Sequence, residues 1–226
     1  MEHSNVTPII TKTNKGTDLE LNVLDSMMGT GKSTWLIDKV NKEACVFHSK
    51  PLKVIILTPY LEQIDRFITE CKSINLQTPN FNDSSKQDDL ISLIEQGHNI
   101  VATHSLWNGL RDETSETLEG QGYSLFIDEV FDFMVEPIEG LMSDDVGLLF
   151  NQSCVLETLE GPLEWNPDYA GYVGYFNHVK DLANKGRLQH EGKTSMFDVF
   201  PYRYFTPFEQ IWVLTHQWKG SIMSAY

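Results

Sequence analysis

Short, continuous apolar runs alternate with segments of helical periodicity from about residue 19 to residue 128. "KVIILTP" (53–59), "NIVATHS" (99–105) and "YSLFIDEV" (123–130) are rich in β-branched and large apolar residues, as in strands buried on both faces. "LELNVLD" (19–25) reads as a further strand. Between them, "STWLIDKVNKEA" (33–44) places Trp35, Leu36, Val40 and Ala44 close to helical spacing. "YLEQIDRFITECKSI" (60–74) does the same through Leu61, Ile64, Phe67, Ile68 and Cys71. "SSKQDDLISLIEQG" (84–97) reads as a short capped helix stopped at Gly97. Strands separated by helices predict an α/β fold with a central, mostly parallel sheet, flanking helices and right-handed crossovers.

Residues 131–207 break this rhythm with aromatic, Gly and Pro positions. They read as an aromatic-rich insertion, with a helix near 168–185 and a hairpin turning at Gly192. "QIWVLTH" (210–216) restores the buried-strand pattern. The expected organisation is an N-terminal arm, 1–18, and a single domain, 19–226, interrupted by the insertion.

Composition narrows the class. With 226 residues, 41% hydrophobic and 22% charged, the chain is long and apolar enough to bury a core. No apolar run approaches bilayer length, and no apolar stretch follows a basic start at the N-terminus, so a cytoplasmic protein is expected (host cytoplasm if viral). Cys45, Cys71 and Cys154 form no C-x-x-C pair; they suit a reducing compartment and read as small buried residues. His48, His98, His178 and His190 lie in polar, turn-like surroundings and read as surface residues. A net charge of −15 with no Lys/Arg run repels duplex DNA. Any nucleic-acid contact would rest on backbone amides, a few side chains or a partner.

Chemistry concentrates in "SMMGTGKS". In the pattern G-x-x-x-x-G-K-S/T, successive backbone N–H groups wrap phosphates at a helix N-terminus, the lysine adds a charge and the hydroxyl ligates Mg²⁺. Gly29, Gly31, Lys32 and Ser33 satisfy the pattern, and Ser26 stands at its first glycine. A strand precedes the loop and a helix follows, as an NTP site requires. "LFIDEV" then sets Asp128 and Glu129 at a strand end. There an aspartate can hold Mg²⁺ and a glutamate can polarise the attacking water.

Together these residues resemble the first RecA-like domain of the DEAD-like superfamily 2 helicases and translocases, with the texture of bacteriophage replication helicases. The resemblance covers most of 19–128 and resumes at 210–226. It implies a RecA-like P-loop NTPase in which Ser26, Gly29, Thr30, Gly31, Lys32, Ser33 and Thr34 bind ATP. Ser33 and Asp128 hold Mg²⁺, and Lys32, Asp128 and Glu129 are the catalytic group. "ILTPYLEQIDRF" looks like motif Ia, which implies that Thr58 and Pro59 meet a nucleic-acid backbone. "NIVATHSLW" looks like the next motif, which extends that expectation to Thr103, His104 and Ser105. Val130 and Phe131 follow the two carboxylates in place of the family's usual pair, a DExx variant. "WVLTHQW" falls at motif III, where Thr215 fits a coupling role and His216 departs from the pattern. The implied partners are single-stranded nucleic acid, DNA before RNA, and a second RecA-like domain or partner chain. Lacking that second domain, this chain is expected to bind Mg–ATP, to hydrolyse it slowly and not to unwind duplexes.

Two other classes compete. "IDEVFDF" resembles the corresponding strand of type II thymidine kinases, small P-loop kinases, although their four-cysteine zinc lobe is missing. A non-catalytic, ATP-switched binding module is the third. In it Trp165, Tyr169, Tyr172, Tyr175 and Phe176 either stack single strands or simply pack a helix onto the domain.

Overall fold

The computed structural model describes residues 20–45, 51–80, 85–159 and 161–225. The expected arm 1–18 and His48 lie outside them. Two compact units are formed, Asp132–Pro201 and the remainder.

In the larger unit, β1 (Glu20–Asp25) leads through a Gly-rich loop into α1 (Lys32–Cys45). Then follow β2 (Lys53–Thr58), α2 (Leu61–Glu70), the two-residue β3 (Leu76–Gln77), α3 (Lys86–Glu95) and β4 (Asn99–Thr103). Two short helices, α4 (His104–Asn108) and α5 (Asp112–Leu118), precede β5 (Tyr123–Asp128). The sheet has six strands in the order β1-β11-β5-β2-β4-β3, where β11 is Gln210–Thr215, and every pairing is parallel. This is an α/β arrangement compatible with a RecA-like fold.

Burial on both faces explains the unbroken apolar runs. Val54 and Ile56 of β2 pack with Leu36, Ile37 and Val40 of α1 and with Ile64 and Phe67 of α2. Ile55 and Leu57, equally buried, point the other way by strand alternation. Leu61 and Ile68, assigned by periodicity to the apolar face of α2, are instead exposed. Ile64, Phe67 and Cys71 suffice for that narrow contact. At α3, Ser85 and Asp88 form a capping box. The helix ends in a Schellman-type pair, Gly97 N–H to Ile94 O (2.9 Å) and His98 N–H to Leu93 O (3.0 Å), with Gly97 at φ 72°.

The smaller unit is sequence 132–201. Its elements are β6 (Val135–Pro137), α6 (Ser143–Asn151), β7 (Val155–Glu157), β8 (Leu163–Trp165), α7 (Asn177–Asn184), β9 (Leu188–Glu191) and β10 (Ser195–Val199). β6, β10 and β9 form an antiparallel sheet, and β7 and β8 form a hairpin. β9 and β10 turn at Gly192, which has φ 58°. The helix expected near 168–185 is cut to α7. Pro167 opens a 3₁₀ turn capped by the Asn166 side chain, and Gly171 and Gly174 follow before helical bonding resumes. Arg187 and Asp198 pair through Nε–Oδ1 at 2.6 Å in a nearly buried position.

The cysteines divide. Cys71 is buried, and burial pushes its thiol up to about 11. Cys154 is half-buried, and Cys45, expected inside, is exposed at the last residue of α1. Among the described residues no helix is long and apolar enough to cross a membrane.

Candidate functional site

Because the six strands are parallel, β1, β11, β5, β2 and β4 all end at one edge of the sheet, where ligands of open α/β sheets collect. At β1 the chain turns through residues 26–31 into α1. Gly29 (φ 76°) and Gly31 (φ 91°) adopt left-handed conformations that only glycine takes easily, and a Cβ at either would meet nothing within 4 Å. The loop is therefore an open cradle shaped by backbone conformation alone. Ser26 does not share the left-handed conformation, so no glycine is needed there. Its hydroxyl instead lies 2.9 Å from that of Thr30, which donates to Met27 O at 2.7 Å.

Lys32 is 7% exposed although charged. Its Nζ donates to the carbonyls of Ser26 (3.1 Å) and Met27 (3.4 Å) and lies 3.5 Å from Glu129 Oε1. Ser33 donates to Asp128 at 3.0 Å (Oδ2) and 3.2 Å (Oδ1). Asp128 is 3% exposed, and burial pushes its carboxyl above the ordinary value. The neighbouring Glu129 charge adds to the rise, while the Ser33 bond and the Lys32 and Arg66 charges oppose it.

Glu129 itself has φ 71°, a conformation that costs a non-glycine residue about 1–2 kcal/mol. It is held there by its N–H bond to Leu214 O (2.8 Å). Thr215, fully buried, lies between the two halves of the site. Its carbonyl accepts from Ser26 N–H (3.0 Å), and its hydroxyl lies 3.5 Å from Glu129 Oε2. The position of β11 between β1 and β5 dictates this.

The residues expected to meet nucleic acid divide by burial. Thr58 is wholly buried and its hydroxyl donates to Gln63 Oε1 at 2.7 Å, so in this conformation its side chain is closed to a ligand. It is fixed as the last buried residue of a central strand. His104 is also buried, with its ring edge-on to Phe131 at 4.7 Å. Thr103 is half-buried and caps α4 by accepting from Leu106 N–H (3.2 Å). Pro59 is half-buried and Ser105 exposed. In the smaller unit Trp165 belongs to the core and donates to Tyr169 O at 3.0 Å, so it is no exposed stacking platform. Tyr172 and Phe176 pack against that core, while Tyr169 and Tyr175 are exposed.

Two residues escaped the sequence reading. Arg66 of α2 donates to Thr34 Oγ1 at 2.9 Å and to Glu70 at 3.1 Å, bringing a second cation beside the loop. Its only sequence signal was a place on the polar face of an amphipathic helix. Asp25 accepts two backbone N–H groups from residues 217 and 218, and no local pattern announces a contact across 192 residues.

The described donors suit an Mg–nucleotide. Ser33 and Asp128 offer hard oxygen ligands side by side, and the cradle at Gly29–Gly31 is open next to a buried lysine.

No family model matches the chain. It is similar to the SPbeta prophage-derived uncharacterized protein YonV of Bacillus subtilis (strain 168), with 27% identity over 214 residues, or 90% of this chain and 50% of that protein. The chain thus spans about half the length of this curated relative.

Proposed function

We propose that the chain is the first, ATP-binding RecA-like domain of a helicase or translocase. It acts on single-stranded nucleic acid, DNA before RNA, and a second RecA-like domain or partner chain completes it. The chief support is the Ser33–Asp128 contact, which joins the start of the loop's helix to a carboxylate 95 residues away. Such a juxtaposition of loop hydroxyl and strand-end carboxylate is what an Mg–nucleotide site needs, and chance seldom supplies it beside a buried lysine.

In this reading the amides of Gly29 to Thr34 cradle the phosphates, and Lys32 exchanges the Ser26 and Met27 carbonyls for phosphate oxygens. Ser33 and Asp128 hold Mg²⁺, which neutralises phosphate charge when bound. Glu129, released from Lys32, orients the attacking water. Pro59 and Ser105 are the accessible positions for a polymer backbone, with Thr103 beside them. Thr215 lies where a change at Glu129 reaches the loop.

The test is Mg–ATP binding and turnover with and without single-stranded DNA, using Lys32→Ala as control. Mg-dependent binding with slow turnover, lost in the variant, is expected. ATP binding that ignores both Mg²⁺ and Lys32 would overturn the proposal.

A further inference from the structure

We infer that Asp25 is a positioning residue that makes the Gln217–Trp218 turn respond to nucleotide in the Gly-rich loop. This rests on the nucleotide reading above and adds a regulated element to that same site. Asp25 is the last residue of β1 and directly precedes Ser26. Its Oδ1 accepts the N–H of Gln217 at 2.9 Å, and its Oδ2 accepts the N–H of Trp218 at 3.0 Å. Gln217 has φ 63° and ψ 50°, and successive N–H groups around a left-handed residue converge on one anion. Here the anion is supplied by the strand that carries the loop.

The contact completes a run of ties along the end of β11. Leu214 O accepts from Glu129 N–H, and Thr215 O accepts from Ser26 N–H. Asp25 then takes the N–H groups of residues 217 and 218. The segment after the strand is thereby fastened to the loop's own base and to the carboxylate strand. The loop's base is also where nucleotide acts. Lys32 donates to the carbonyl of Ser26, so phosphate that captures this lysine alters the residue adjoining Asp25. A short carboxylate with both oxygens engaged is a stiff connection, and it passes that change to the turn. A turn capped by a local side chain would lack this direct tie to the loop's base.

Five tryptophans provide the readout, because Trp35 and Trp218 bracket the connection. Trp35 donates its backbone N–H to Gly31 O (2.8 Å) at the loop, whereas Trp218 is held by Asp25. The protein is labelled with fluorotryptophan, each ¹⁹F signal is assigned by a Trp→Phe variant, and a non-hydrolysable ATP analogue is titrated with Mg²⁺. In the native sequence both the Trp35 and Trp218 signals are expected to shift along one binding curve. In Asp25→Asn the Trp35 shift and the affinity should persist while the Trp218 shift is lost. Unmoved signals of Trp107, Trp165 and Trp212 in the free variant verify its fold. Asp25→Ser serves if the Asn side chain perturbs the strand. A Trp218 signal that stays still while Trp35 moves in the native sequence overturns the inference without any variant, as does an equal Trp218 shift in Asp25→Asn. No Trp35 shift and no measurable affinity would instead overturn the nucleotide reading, and this inference with it.

Discussion

The Lys32 ammonium lies 3.5 Å from the Glu129 carboxylate, so the loop's cation and the strand-end carboxylate are paired with each other. Glu129 is about one-third exposed, so solvent weakens the pair and an incoming phosphate can displace it.

Lys32→Ala should abolish Mg–ATP binding, since it removes the buried side-chain cation next to the cradle. Glu129→Gln should keep binding, because its carboxylate competes for Lys32 rather than holding the nucleotide. Turnover in Glu129→Gln should fall about 10²–10⁴-fold, the usual contribution of a positioned general base. Calorimetric titration and phosphate release distinguish the two. Lost binding in Glu129→Gln would remove it from the role of base.

The raised carboxyl of Asp128 has a definite sign in pH. A group whose folded pKa exceeds its unfolded value contributes stability below the ordinary carboxylate range, and that contribution is lost as pH rises through the folded value. Once pH passes the folded value, the free protein carries a buried, desolvated charge. Asp128→Asn should raise the melting temperature of the free protein and abolish the further rise given by Mg–ATP. In the native protein Mg²⁺ affinity should climb with pH above the ordinary carboxylate range, as the retained proton leaves. A variant less stable than the native protein without ligand would show that the Ser33 bond outweighs desolvation.

Gly31 tests the cradle separately from its charges. At φ 91° with open space around a Cβ, Gly31→Ala meets no clash, so its cost is conformational, about 1–2 kcal/mol. Urea unfolding should show that loss, and ATP affinity should fall because the amides turn away. A change in stability with unchanged affinity would mean the loop amides do not contact phosphate.

The core of the larger unit was legible because its strands are buried on both faces. Val54 to Leu57 form an unbroken apolar run, and so do Leu125 to Ile127. The order of those strands was not legible. Nothing in "QIWVLTH" says that it lies between β1 and β5, yet that placement brings Thr215 to Glu129. Thr58 shows the opposite failure. A polar residue at a strand end reads as available, but Gln63, in the first turn of the next helix, takes its hydroxyl inward. In the smaller unit, the three-residue strands β6, β7 and β8 leave too few positions for any period to show.

Trp165 carries the last prediction. It is 6% exposed in the core formed with Val155, Leu163, Val179 and Leu188, with Tyr172 packed 5.6 Å away between ring centroids. Trp165→Ala should therefore destabilise residues 132–201 by about 3–5 kcal/mol, as large-to-small core changes do. Tyr175 is exposed and bonds Gly140 O at 2.7 Å, so Tyr175→Ala should cost only about 0.5–1.5 kcal/mol. Urea unfolding of both variants alongside their affinity for single-stranded DNA separates packing from stacking. If Tyr175→Ala weakens strand binding while the fold persists, the exposed tyrosines are a polymer contact. If neither variant alters binding before unfolding, these aromatics serve the core alone.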